Sequence, residues 1–219
     1  MDIGIFPFVV AALPVATYFL LLGTLRCLRR PLVTSGSRDL AAVAVAVSGL
    51  IVMGPLHLFF PSTAAAQLGW LVWLVLGMLY VLFVALILFS LRPSIVAYGI
   101  RIPQGLPLLL RAARHIDPAA ISLPESSQVV LPTVDVRLRI EPLGITDAVQ
   151  IEAFERNLQP RFWRSLLAHV RSEAIAEKSA ISVGGLSMFL FGSVLMTLVV
   201  LLSVGQSEEL IAGLRAWLQ

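Results

Sequence analysis

The fold of this chain is decided by residues 40–91, which read LAAVAVAVSGLIVMGPLHLFFPSTAAAQLGWLVWLVLGMLYVLFVALILFSL. These 52 residues contain no Asp, Glu, Lys or Arg. A helix needs roughly 20 apolar residues to cross the hydrocarbon core of a bilayer, so the stretch is too long for a single span. Because Pro61, Ser62 and Thr63 interrupt it near the middle, it predicts two membrane-spanning helices, at about 40–60 and 68–91, joined by a tight hairpin.

Two further apolar stretches are long enough to span a membrane. Residues 3–25 carry no charge, and residues 179–205 lie within a second uncharged stretch. The first stretch follows Met1 and Asp2 rather than basic residues, and arginines come after it, so it predicts an uncleaved anchor and not a signal peptide. We therefore predict an α-helical integral membrane protein with four transmembrane helices.

The composition agrees with residence in a membrane. Of 219 residues, 58% are hydrophobic and 13% are charged, and the mean hydropathy is +0.91. The net charge of +3 is not gathered into a basic face interleaved with aromatic residues, so nucleic-acid binding is not predicted. The only cysteine, Cys27, excludes an intramolecular disulfide and a multi-cysteine metal site. Basic charge carried almost entirely by arginine is typical of a bacterial chain.

Arginines in the short loops predict the orientation, because basic residues near span ends stay on the cytoplasmic side. Residues 26–39 hold four arginines, whereas the hairpin at 61–67 holds none. Both termini are therefore predicted outside, with residues 26–39 and 92–178 cytoplasmic, in a multi-pass protein of the bacterial inner (plasma) membrane.

Several of these residues are candidates for contact with the bilayer, the first predicted partner. A loop arginine can hold an anionic lipid headgroup, although fixing the topology would explain the same residues. Tryptophan prefers the membrane–water interface. The candidate lipid-contact residues are Arg26, Arg29, Arg30, Arg38, Trp70, Trp73 and Trp217.

Residues 92–178 hold most of the charges and are predicted to fold as an inserted cytoplasmic domain. Alternating and helical apolar patterns follow one another in the approximate order βαββββα, which favours a two-layer α+β sandwich. The clearest strand, 134–141, has one apolar face and one polar face. Its polar residues are a candidate face for a protein partner: Asp135, Arg137, Arg139 and Glu141.

Short connections join this domain to the spans. Only Arg92 and Pro93 separate the third span from the first strand, and the last helix runs almost directly into the fourth span. Such junctions would let the sheet feel a movement of the spans. Docking of the domain for stability alone is the other interpretation.

The C-terminal residues 206–219 predict an amphipathic helix. Ser207 can cap it, Glu208 and Glu209 suit its positive N-terminus, and the apolar residues that follow fall on one face. This pattern is typical of a helix lying in the outer membrane interface, and docking of a partner is the alternative use of the same face.

Within the spans, Gly54, Pro55 and His57 form a candidate polar site or kink. An ionisable residue inside a span often marks an ion or proton path, but His57 has no carboxylate or second histidine at similar depth. The Gly54–Pro55 pair is more simply a kink. On the inserted domain, His115 and His169 lack spaced partners and are predicted to be surface or helix-end histidines.

No catalytic, cofactor-binding or metal-binding motif occurs in the sequence, so we predict no enzyme, cofactor or metal. The predicted function is a non-enzymatic membrane scaffold or signal-transducing protein whose cytoplasmic domain binds a protein partner or a second copy of itself. The alternative is a small transporter or channel subunit that acts as a homo-oligomer. An embedded enzyme ranks last because no paired acids, nucleophile or metal cluster can be named.

Overall fold

A computed structural model describes the chain at residues 5–27, 31–56, 69, 71–144, 147–155, 157–176 and 183–218. It divides into two compact units, each discontinuous in sequence. The helical unit comprises Met1–Leu22, Ala41–Ser90 and Met188–Gln219, and the sheet unit comprises Gly23–Leu40 and Leu91–Ser187. Three helices therefore have most of their length in one unit and an end in the other.

The helices that contribute to the helical unit include four that are long and apolar enough to cross a membrane. Of these, α2 continues as a π-helix over Val52–Leu56, which contains Gly54 and Pro55. Proline has no backbone N–H to donate, so a local change of hydrogen-bond register is expected at this point. The helices are α1 (Ile5–Cys27), α2 (Gly36–Ile51), α3 (Leu71–Ser90), α6 (Val183–Gly205) and α7 (Ser207–Leu218).

Glycines set the closest contacts inside the helical unit. A Cβ on Gly49 of α2 would meet the backbone carbonyl oxygen of Val10, and one on Gly192 of α6 would lie 2.8 Å from the backbone nitrogen of Leu20. Both neighbours belong to α1, so α1 packs against α2 and α6 at positions that only glycine fills without displacement. The hydroxyl of Tyr80 on α3 donates a 2.6 Å hydrogen bond to the carbonyl oxygen of Ala44 on α2.

The sheet unit contains a six-stranded antiparallel sheet in the spatial order β1-β2-β6-β5-β4-β3. After β1, the elements follow the predicted order βαββββα. They are β1 (Leu32–Ser35), β2 (Ser94–Tyr98), α4 (Ile102–Arg114), β3 (Ile121–Leu123), β4 (Gln128–Leu131), β5 (Val136–Pro142), β6 (Ala148–Ala153) and α5 (Pro160–Ala176).

Strand β1 lies in the segment that the sequence analysis treated only as a cytoplasmic loop. It pairs with β2, with Val33 opposite Ala97, and Val33 is buried. Two residues of high strand propensity, Val33 and Thr34, make this pairing favourable. The consequence is that a segment between two candidate spans forms an edge of the sheet.

One face of the sheet carries the core of this unit. The strand register places Val33, Ala97 and Val149 in one row across the sheet and Ile95, Ile151 and Ile140 in the next. Helices α4 and α5 cover these rows through a set of fully buried residues. That set is Leu108, Leu109, Ala112, Ala113, Leu166, Val170 and Ala174.

A buried aspartate organises the turn before β5. Asp117 accepts hydrogen bonds from the backbone nitrogen and hydroxyl of Thr133, both at 2.8 Å, and from the nitrogen of Ala119 at 3.0 Å. Burial alone would raise the pKa of Asp117, but the hydrogen bonds outweigh it and lower the pKa below its ordinary value. Asp135, in the same turn, has a φ of 53°, so β5 begins at Val136 and not at Val134 as predicted.

Candidate functional site

The outer face of the sheet, opposite α4 and α5, has two different environments. On β5, Arg137 and Arg139 are exposed, as expected for a wet face. On β2, by contrast, Val96 and Tyr98 of the same face are only 3% and 6% exposed. Since β2 is buried on both faces, something other than α4 and α5 must cover its outer side.

The cover includes the ends of two helices. The hydroxyl of Tyr98 donates a 2.7 Å hydrogen bond to Oδ1 of Asp39, in the first turn of α2. The guanidinium of Arg26, in the last turn of α1, lies 4.9 Å from the centre of the Tyr98 ring. A cation at this distance over an aromatic face is attracted to it, more strongly when both groups are shielded from water. We call these three residues the Tyr98 cluster.

The start of a third helix, α6, packs against the same cluster. Gly185 is in the first turn of α6, and a Cβ placed there would lie 2.6 Å from the Cβ of Arg26. Arg26 itself is only 4% exposed. A buried guanidinium is costly unless neighbouring groups compensate it, so its position is constrained by the packing around it. The ends of α1, α2 and α6 therefore meet around β2.

Edge strand β1 is held from a second direction. Nε of Arg171 on α5 donates a 3.0 Å hydrogen bond to the carbonyl oxygen of Val33. At the end of β1 the chain enters α2 directly, and Gly36 is so close to Ser94 that a Cβ would collide with the serine hydroxyl. The short path from β1 to Asp39 is thus fixed at both ends.

The predicted lipid-contact residues lie in different environments in the structure. Arg26 is buried in the Tyr98 cluster, whereas Arg38 is exposed and lines a cavity beside the start of α2. Trp73 is half-buried on α3. Trp217 lies on α7, but its side chain is outside the described part of the structure, as are Arg29, Arg30 and Trp70 entirely.

The predicted polar site in the second span is only partly described. Gly54 and Pro55 lie in the π-helical segment, and a Cβ on Gly54 would meet nothing within 4 Å. His57 lies outside the described residues.

The predicted partner face on β5 is rich in local ion pairs. Arg139 lies 2.9 Å from Glu141, and Arg137 lies 3.9 Å from Glu155 and 5.7 Å from the centre of the Phe154 ring. Asp135 is exposed in the turn before the strand. These surface pairs contribute little to stability.

Two histidines that the sequence analysis treated as separate are in contact. The rings of His115 and His169 stack with centres 4.8 Å apart and an interplanar angle of 11°. Glu173 accepts a 2.9 Å hydrogen bond from Arg111 and lies 3.2 Å from Nε2 of His115. The hydrogen bonds to Arg111 and His115 lower the pKa of the Glu173 carboxyl. The signal missed in the sequence is a matched spacing of four residues: Arg111 on α4 to His115, the residue that follows α4, and His169 to Glu173 on α5.

Within the described ranges, no group of three or more His, Cys, Asp or Glu side chains is arranged to hold a metal ion. No protein-family profile, curated protein or solved structure matches this chain. Among the described residues, the Tyr98 cluster is the candidate functional site.

Proposed function

We propose that this protein is a non-enzymatic, multi-pass transducer or scaffold of the bacterial inner membrane. Its sheet unit would lie in the cytoplasm and bind a protein partner or a second copy of the chain. The Tyr98 cluster supports this proposal most strongly, because it attaches the ends of two candidate spans to a buried strand of the sheet.

Membrane insertion is supported by the surface of the candidate spans. Their mean hydropathies lie between 1.5 and 2.9, and only 11% to 22% of the residues in their most apolar stretches are buried within the protein. Large apolar side chains are left exposed, such as Phe89 at 89% and Val204 at 76%. A helix that is apolar on all sides needs a lipid environment, because exposing that much apolar surface to water is unfavourable.

Transduction is supported by the energy of the cluster. A hydrogen bond to a charged acceptor stabilises a protein by about 1.5–3 kcal/mol. Allosteric coupling between two sites is typically about 1–3 kcal/mol, the same range. A shift of α2 relative to β2 that breaks the Tyr98–Asp39 hydrogen bond would therefore be large enough to change the population of two states of the sheet.

Photo-crosslinking in bacterial membranes would test the partner face. A photoreactive amino acid at Arg139 reports on the outer face, and one at Gln104, exposed on α4, is the matched control. We expect adducts of discrete mass from position 139 and few from position 104, with fewer adducts at 139 when Tyr98 is replaced by Leu. Uncrosslinked monomer alone at both positions would contradict the proposal.

The same experiment addresses the transporter or channel alternative. A homo-oligomeric pore predicts a ladder of adducts at multiples of the chain mass, from labels in the helical unit as well as from the sheet. A partner of another sequence predicts an adduct whose mass is not such a multiple.

A further inference from the structure

A cavity of about 290 Å³ lies in the sheet unit, apart from the Tyr98 cluster. Its wall is formed where three elements begin or end: the junction of β1 with α2, the start of β2 and the start of α5. Polar residues from all three elements face it together with several apolar ones. The cavity is large enough for a small polar group with part of an attached chain.

Two arginines give the cavity its charge. Arg38 and Arg164 both line it, and in the described part of the chain neither side chain has a hydrogen bond or ion pair. This distinguishes them from arginines elsewhere in the unit, such as Arg101, which pairs with Asp147 at 2.9 Å. Two unneutralised guanidinium groups at one cavity favour an anion, and a phosphate group matches their planar donor geometry.

The helix positions add to this preference. The 16-residue helix α2 begins at Gly36 and the 17-residue helix α5 begins at Pro160, both at the wall of the cavity. Helix N-termini carry partial positive charge and stabilise anions near them. Both helices therefore favour the same sign of ligand as the arginines.

Ser94 is a polar residue at the same wall. It lines the cavity and is only 9% exposed, and its hydroxyl has no hydrogen-bond partner among the residues that the structure describes. Gly36 keeps the helix start close to this hydroxyl, since any larger residue would collide with it.

The remaining wall is apolar and includes Trp163, Leu158 and Leu167. A soluble phosphate would gain little from such a wall, whereas the glycerol and first acyl carbons of a lipid would be partly shielded from water. Pro93 also lines the cavity and lies three residues after the end of α3, and Arg38 lies in the first turn of α2. The cavity is thus lined by residues that lie next to the ends of two candidate spans in the sequence.

We propose that this cavity binds the phosphate group of an anionic phospholipid from the cytoplasmic leaflet. The lipid assignment rests on the proposed membrane topology, which places the sheet unit on the cytoplasmic side. The cytoplasmic leaflet contains anionic lipids, which attract basic residues near its surface. Arg38 and Arg164 would hold the phosphate oxygens, and Trp163 would cover the glycerol region.

Lipid binding to the full chain in zwitterionic detergent would test this. Native mass spectrometry and tryptophan fluorescence would follow titration with short-chain phosphatidylglycerol, phosphatidylcholine and glycerol 3-phosphate. The variants are Arg38→Gln, Arg164→Gln and the double variant, and Arg161→Gln is a matched control, because Arg161 is exposed on α5 and does not line the cavity.

We expect phosphatidylglycerol to bind more tightly than phosphatidylcholine, with affinity falling about 10-fold for each arginine replaced, as loss of a charged hydrogen bond implies. The Arg161 variant should bind as the wild type does. An unchanged affinity in the double variant, or equal binding of the two lipids, would overturn the proposal. Glycerol 3-phosphate binding as tightly as the lipid would overturn the lipid assignment.

The proposed function has a separate readout. Loss of the membrane fraction, or of crosslinks from position 139, would contradict that function without involving Arg164. A protein that remains in the membrane and keeps its crosslinks, but whose arginine variants bind phosphatidylglycerol normally, would contradict the lipid site alone.

Discussion

Replacing Tyr98 by Phe removes the hydrogen bond between the Tyr98 hydroxyl and Asp39. The aromatic ring stays beneath Arg26, so the cation–π contact is kept, while the carboxylate of Asp39 loses its 2.7 Å donor. Tyr98 is 6% exposed, so water cannot easily take the place of the hydroxyl. We expect the local stability of β2 to fall by about 2 kcal/mol, within the range for hydrogen bonds to charged groups.

Hydrogen exchange measures this loss directly, because local opening exposes the amides of β2 to solvent. A change of about 2 kcal/mol corresponds to exchange that is roughly 30-fold faster. The control is Tyr80→Phe, which removes a hydrogen bond of similar length from the helical unit and should leave the amides of β2 unchanged. A double-mutant cycle with Asp39→Asn should give a coupling energy of about 1–2 kcal/mol between positions 98 and 39.

Two results would refute this reasoning. A coupling energy below about 0.5 kcal/mol would mean that Tyr98 and Asp39 act independently. Equal acceleration of β2 exchange by the Tyr98 and Tyr80 variants would mean a general loss of stability. In either case, the cluster would not link the helix ends to the sheet.

Three further predictions concern packing and pH. Gly49→Leu should prevent recovery of folded protein from detergent, because its side chain would meet the backbone of α1, whereas Gly77→Leu has open space and should give near wild-type size-exclusion profiles. Lowering the pH below about 4, the ordinary pKa of Asp, should destabilise the sheet unit. The lowered folded-state pKa of Asp117 contributes stability that is full above the unfolded value and is lost as the pH falls through the folded one, so Asp117→Asn should make the thermal unfolding midpoint less dependent on pH in this acidic range. Arg111→Gln should raise the pKa of the Glu173 carboxyl toward its ordinary value, because the hydrogen bond from Arg111 is the main cause that lowers it; an unchanged NMR titration of that carboxyl would contradict this.

The four long apolar helices were predictable because their signal is local. Residues 3–25 and 68–91 were predicted as spans, and α1 and α3 occupy nearly the same positions. An uncharged stretch of the required length depends on no partner elsewhere in the chain. The predicted start of the second span, at about residue 40, is four residues too late. Helix α2 begins at Gly36, because β1 leads directly into it.

The candidate site could not be predicted, because its members are far apart in sequence. Tyr98 and Asp39 are separated by 59 positions, and the charge of Asp39 indicated only the boundary of a span. Arg26 fitted the topology pattern equally well whether it faced lipid, water or a tyrosine ring. Only the pairing of β1 with β2 brings these residues together, and four residues of β1 carry too little periodicity to be recognised.

The position of β1 has a consequence for how the sheet unit assembles. Its strand partner, β2, is reached only after α2 and α3 have been traversed, so the edge of the sheet is completed by a contact across about 60 residues. If α2 and α3 insert into the membrane as a helical hairpin, the start of β2 returns to the side of the membrane on which β1 lies. The loop that must close for β1 to pair with β2 is then effectively shorter. Membrane insertion would then precede completion of the sheet, and a displaced second span would withdraw both Asp39 and β1 from β2. On this proposal, the direct connection from β1 to α2 would make the sheet sensitive to the position of the second span.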